Sequence, residues 1–270
     1  MPRVAKKSSA KKYVKTFIIL CLVGIFLVPF YLSYKRIQTE KSEKTQIQAT
    51  QDQEVAEATT SEEPKTEAPK NAATKDLPSE PAKLPDTFTI KVPFTTQAPL
   101  VNWDSAHEEA CEEASLIMVH HFIDKTTIIS KESAEAEIQD LLTYETENNY
   151  AVDVTVKELN EIAKGYYSLN KGRVVTDATI DKIKAEIAAN RPVIIPAAGK
   201  LLGNPNFQNG GPVYHMLVVV GYEGDEFIMN DPGTRKGENY RYKQDILFTA
   251  IHDWNKDDIN SGAKNFLVFD

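Results

Sequence analysis

The sequence predicts an α+β domain with N-terminal helices packed on a mostly antiparallel sheet, preceded by one transmembrane helix and a disordered linker. Three observations predict it. Helical periodicity fills residues 105–190, whereas strand-like runs follow from 193 onward. Residues 17–31 are an almost unbroken apolar run. Residues 35–85 contain no Trp, Tyr or Phe.

The N-terminal elements come first. Residues 1–36 hold eight Lys or Arg and no Asp or Glu. Removing those charges from the net −8 leaves −16 on residues 37–270. An acidic field of that size repels phosphate backbones, so nucleic acid is not an expected partner. Residues 13–34 reach the roughly 20 residues needed to cross a bilayer, and Tyr13, Tyr31 and Tyr34 suit its interfaces. The basic tail, 1–12, stays cytoplasmic, which places the remainder outside as a single-pass membrane protein. The large ring of Tyr31 stands where a signal-peptide cleavage site needs a small residue, so the anchor is expected to be uncleaved. Residues 35–85, rich in Glu, Thr, Lys, Gln, Ala and Pro, bury too little apolar surface to offset their ordering entropy, and form a disordered linker.

Residues 86–270 form one domain. Residues 87–93 alternate as a short strand. Helices are predicted over 105–124, 131–144, 155–166 and 177–190, the last ended by Asn190-Arg191-Pro192. Strands follow over 193–196, 214–222, 226–230 and 265–269, with a short helix over 244–254 before the last. The polar loop 199–211 is long enough to serve as a substrate lid.

Two cysteines are present, and Cys21 lies inside the expected membrane span. Cys111 is therefore a lone thiol in an exported domain, which marks it as reactive. It stands near a predicted helix start, where N–H groups stabilise a thiolate. Glu108, Glu109, Glu112 and Glu113 flank it. Successive helical residues fan out by about 100°, so most of these carboxylates are expected to face away from the sulfur. Among the histidines, His120 and His121 lie too far along the same helix. His107 is a weaker candidate, and His252 near Trp254 reads as packing. His215 opens a buried-strand pattern after the polar loop and is the expected base. Asp231, in Asn230-Asp231-Pro232, would hold the imidazole's other nitrogen and fix its tautomer, with Asn230 as the alternative. Gln97 lies in a loop upstream of Cys111, where its amide is expected to pair with the Cys111 N–H and support an oxyanion hole.

Metal and nucleotide motifs are lacking: there is no His-Glu-x-x-His, Cys-x-x-Cys or phosphate loop. Asp253-Trp254-Asn255-Lys256-Asp257 begins like a calcium loop but lacks its glycine and closing glutamate, and reads as a polar turn. No cofactor or metal is expected.

Five segments in order resemble the C39-like peptidases of the papain-like cysteine protease superfamily. They are Val92-Pro93-Phe94-Thr95-Thr96-Gln97, Ala110-Cys111-Glu112-Glu113-Ala114-Ser115, Arg191-Pro192-Val193, His215 through Tyr222, and Asn230-Asp231-Pro232. The chain departs from the family in Ala110, where glycine is common, and in a longer interval from Gln97 to Cys111. The resemblance implies a papain-like cysteine peptidase fold, with Cys111 as nucleophile, His215 as base and acid, Asp231 orienting it and Gln97 at the oxyanion hole. The expected function is that of a membrane-anchored, extracytoplasmic cysteine peptidase acting on a peptide or protein substrate. A cell-wall peptide hydrolase or transpeptidase using the same residues, and an inactive surface peptide-binding domain, are the alternatives.

Overall fold

The computed structural model describes residues 84–128 and 130–270. The cytoplasmic tail (1–12), the anchor (13–34) and nearly all of the linker (35–85) lie outside the described residues. Among the described residues no helix is long and apolar enough to cross a membrane.

The order is β1 (Thr87–Thr89), α1 (Cys111–Ile123), α2 (Lys131–Glu147), α3 (Val156–Tyr167), β2 (Gly172–Val175), α4 (Ile180–Ala188), β3 (Val193–Ala198), β4 (Tyr214–Glu223), β5 (Glu226–Asn230), β6 (Tyr240–Lys243), α5 (Gln244–Ala250) and β7 (Phe266–Phe269). The predicted α+β class holds. Three of the helices, α2, α3 and α4, start where a side chain satisfies a free N–H group. Thr155 and Glu158 form a reciprocal capping box at α3, and Ser130 and Ser133 do the same at α2. Ser168, left-handed at φ 62°, ends α3.

The sheet runs β2-β7-β3-β4-β5-β6, with β1 added to β4, and every pairing is antiparallel. β2 and β6, which the hydrophobic pattern does not announce, are its two edges. Each is four residues long and partly exposed. An edge strand faces water along one side and so need not carry an apolar run.

Strand alternation builds two cores. Tyr214, Met216, Val218 and Val220 of β4 pack with α1, α2 and α3. Leu217 and Val219 face the other way, into a core shared with α4 and α5. α1 is buried against both β4 and its neighbouring helices, and Leu116, Ile117, Met118 and Val119 are all inaccessible. A helix so enclosed needs apolar residues around most of its circumference.

The helix predicted over 244–254 stops at Ala250. Ile251 then bridges to Ala197. The Asp253 carboxylate accepts from the N–H of Val156 at 3.0 Å, from that of Trp254 at 3.0 Å and from Asn265 Nδ2 at 3.1 Å. Capping α3 takes these residues out of the helix. It also explains the calcium-like Asp253-Asn255-Asp257 pattern as a polar turn.

Candidate active site

β5 ends at Asn230, opposite Val218, so the first residues of β4 have no neighbour on that side. A cleft of about 570 Å³ opens there, lined among others by Gln97, Trp103, Glu108, Glu109, Phe207, His215, Gly233, Arg235 and Lys236.

His215 lines it, and Asp231 lies buried behind the imidazole. The imidazole Nε2 lies 2.8 Å from Asp231 Oδ1, and both residues are buried. The same carboxylate accepts the Gly233 N–H at 3.0 Å, Asn204 Nδ2 at 3.2 Å and the Tyr242 hydroxyl at 2.6 Å. Asn204 Nδ2 also donates to the Tyr242 hydroxyl at 2.7 Å. Burial pushes the Asp231 pKa up, but the charge of His215 and the bonds from His215, Tyr242 and Gly233 together hold it below the ordinary carboxylate value. Phe207 sets its ring edge-on to His215 at 5.4 Å. Gly233 lies so close that a Cβ there would come 2.9 Å from His215 Cε1. The other ring nitrogen, Nδ1, has no hydrogen-bond partner among the described residues.

Asn230, the alternative orienter, instead pins two loops: its Nδ2 donates to the Val92 carbonyl at 3.2 Å, and its Oδ1 accepts from the Asn239 N–H at 3.2 Å. His120 stacks on Tyr167, with ring centroids 3.8 Å apart, and His121 pairs with Glu137 at 2.9 Å. His252 meets the Gly262 carbonyl at 3.0 Å. His107 is clamped between Asp104 at 2.7 Å and Glu135 at 2.9 Å. Burial lowers its pKa, but those two carboxylates outweigh it and raise the value overall. His107 thereby fastens the approach to α1 onto α2.

Cys111 is the first residue of α1; the helix predicted from 105 begins only there, after a separate 3-10 turn, His107–Glu109. Its thiol points inward. Sγ donates to Glu112 Oε2 at 2.8 Å and accepts the Met216 N–H at 3.3 Å. Burial, then the charge and hydrogen bond of Glu112, push its pKa well above the ordinary 9.0, against a weaker opposing effect of the Met216 N–H. Among the described residues no hydrogen bond joins Cys111 to His215. The reason lies in β4: Cys111 packs with Tyr214 and Met216, whereas His215 takes the opposite side of the strand.

The expectation that most of the flanking glutamates face away from the sulfur holds, with Glu112 as the exception. Glu108 and Glu109 are exposed on the cleft, but Glu112 contacts the sulfur and Glu113 is buried. Burial, then Glu145, raises the pKa of Glu113, and burial brings Glu145 to about 7. Gln97 also departs from expectation. Its Nε2 donates to the His107 and Glu108 carbonyls at 2.8 and 2.9 Å, so the expected pairing with the Cys111 N–H is not made. Asn204 and Tyr242 escaped sequence reasoning altogether. Asn204 reads as one more polar loop residue and Tyr242 as one more exposed tyrosine, and only folding carries them to Asp231.

The site thus holds a buried His215–Asp231 pair beside the open end of β4 and a buried thiol at the start of α1. The profile of the Peptidase_C39 like family matches residues 89–258, and the chain belongs to that family. No curated protein matches. Among solved structures, the chain is similar to a crystal structure described as that of a C39-like peptidase from Bacillus anthracis. The identity is 16% and the TM-score 0.46, covering 69% of this chain and 98% of the other.

Proposed function

We propose that this protein is a membrane-anchored, extracytoplasmic cysteine peptidase that hydrolyses peptide bonds through Cys111, His215 and Asp231. The observation that carries the reading is the buried His215–Asp231 pair, 2.8 Å apart, whose His215 lines a cleft that also takes in Glu108 and Glu109, just ahead of the helix Cys111 begins. Family membership supports it. The apolar run 13–34 supports the anchor.

The chemistry is acyl transfer. The Cys111 side chain leaves Glu112 and turns past the open end of β4 toward His215 Nδ1, which takes the thiol proton. The thiolate adds to the peptide carbonyl carbon. First-turn N–H groups of α1, which no side chain caps, stabilise the oxyanion. His215 returns the proton to the leaving amine as the C–N bond breaks, giving an acyl-thioester and a free amine. Water adds to the thioester and gives a proton to His215. Collapse then releases a carboxylic acid and restores the thiol. Throughout, Asp231 holds Nε2 protonated and stabilises the imidazolium.

The test uses the full-length chain with a library of internally quenched peptides. Turnover by the parent and its loss of at least about 10³-fold in both Cys111→Ala and His215→Ala is the expected result. Turnover that survives Cys111→Ala overturns the reading.

A further inference from the structure

The mechanism leaves four charged groups in the cleft unused. Glu108 and Glu109 come from the segment leading into α1, and Arg235 and Lys236 from the turn behind Asp231. All four are exposed. Among the described residues none forms an ion pair, although charges elsewhere are paired: Arg241 with Glu223 at 2.6 Å, Lys243 with Asp225 at 3.0 Å, Arg191 with Glu186 at 2.7 Å.

Both pairs are mounted on fixed backbone. The Gln97 side chain holds the His107 and Glu108 carbonyls, and the Gln97 N–H donates to the Pro232 carbonyl at 3.0 Å. One residue thus ties the acidic segment to the basic turn. That turn closes on itself through Gly237 N–H to the Thr234 carbonyl at 3.1 Å and Lys236 N–H to Thr234 Oγ1 at 3.2 Å. Gln97 is itself 4% exposed, lines the cleft, and has an Oε1 with no partner among the described residues. A buried acceptor left open beside an acidic wall calls for a donor from outside the chain.

We propose that this cleft selects a peptide segment bearing both signs of charge, with an ammonium or guanidinium against Glu108 and Glu109 and a carboxylate against Arg235 and Lys236. Gln97 Oε1 would accept from an N–H of the same segment. The proposal deepens the peptidase reading, and rests on it only for the cleavage that follows binding. Exposed ion pairs are individually weak, so the expected selectivity is about 3- to 10-fold over a neutral peptide.

The experiment measures fluorescence anisotropy of labelled peptides on the full-length Cys111→Ala chain, with cleavage by the parent chain in parallel. The peptides share one core and carry Lys and Asp, Lys alone, Asp alone, or neither. The doubly charged peptide is expected to bind tightest, and its advantage to collapse between about 0.05 and about 0.5 M salt. Reversal of the acidic wall (E108K with E109K) should abolish the benefit of Lys only. Reversal of the basic turn (R235E with K236E) should abolish the benefit of Asp only. These changes leave in place the main-chain bonds made at 108 and 236. Equal affinity for all four peptides, or an advantage indifferent to salt, overturns the proposal even where cleavage depends on Cys111. Charge-selective binding without cleavage upholds it and sinks the peptidase reading instead.

Discussion

Tyr242→Phe removes one oxygen from the support of Asp231 and leaves the ring to fill the same space. The hydroxyl donates to Asp231 Oδ2 at 2.6 Å and accepts from Asn204 Nδ2 at 2.7 Å. The carboxylate is wholly buried, so water does not replace the lost donor. A hydrogen bond to a charged group contributes about 1.5–3 kcal/mol, against about 1 kcal/mol for a neutral one. Asp231 keeps three donors and Asn204 keeps one of its two acceptors, which favours the lower part of that range, about 2 kcal/mol. The loss depends on the carboxylate charge. In an Asp231→Asn background, Tyr242→Phe should therefore cost about 1 kcal/mol less than it does in the parent. Urea denaturation of the four proteins at pH 7 completes the cycle. At that pH Asp231, whose folded pKa is lowered, exerts its full stabilisation, which is lost only as acid protonates it. Additive single and double changes, within about 0.5 kcal/mol, would refute the claim that Tyr242 acts on the Asp231 charge.

Two further predictions concern buried acids around α1. Glu145 has a folded pKa of about 7 against an ordinary 4.5, raised by burial and by the charge of Glu112 against the opposing effect of a hydrogen bond with Glu113. A raised acid pKa stabilises fully below the unfolded value and progressively less as pH rises through the folded one, so stability should fall between about pH 4.5 and pH 7 by no more than about 3 kcal/mol from this group. Glu145→Gln should flatten that slope in urea titrations from pH 5 to 8, and an unchanged slope would exclude Glu145 as its source. The second concerns the thiol, whose pKa burial and Glu112 raise. In the resting full-length chain at pH 7, iodoacetamide should modify Cys111 at least about 10-fold more slowly than a free cysteine peptide, with the site mapped by mass spectrometry. Labelling as fast as the free peptide would show that the inward thiol is not the resting arrangement.

Much of the fold was legible because its signals are local. The apolar periodicity of α3 and α4 and the run from Tyr214 to Tyr222 act over a turn or a strand. Sequence neighbours suffice to read them. Even the boundary errors have a physical cause, as at 251–254, where Asp253 is drawn away to cap a helix 97 positions earlier in the chain.

The sequence by itself determined the chemical inventory: one thiol at a helix start, one histidine at a strand start, one aspartate at a strand end, and their order. The tertiary structure alone decided how they meet. It brought Tyr242 and Asn204 to Asp231, made β2 and β6 the sheet edges, turned Glu112 toward the sulfur, and set Cys111 and His215 on opposite sides of β4. Residue types and spacing fix what groups a chain owns and the period of its local structure. Contacts such as Met216 to Cys111, 105 positions apart, depend on how whole elements stack, and no short stretch of sequence encodes that.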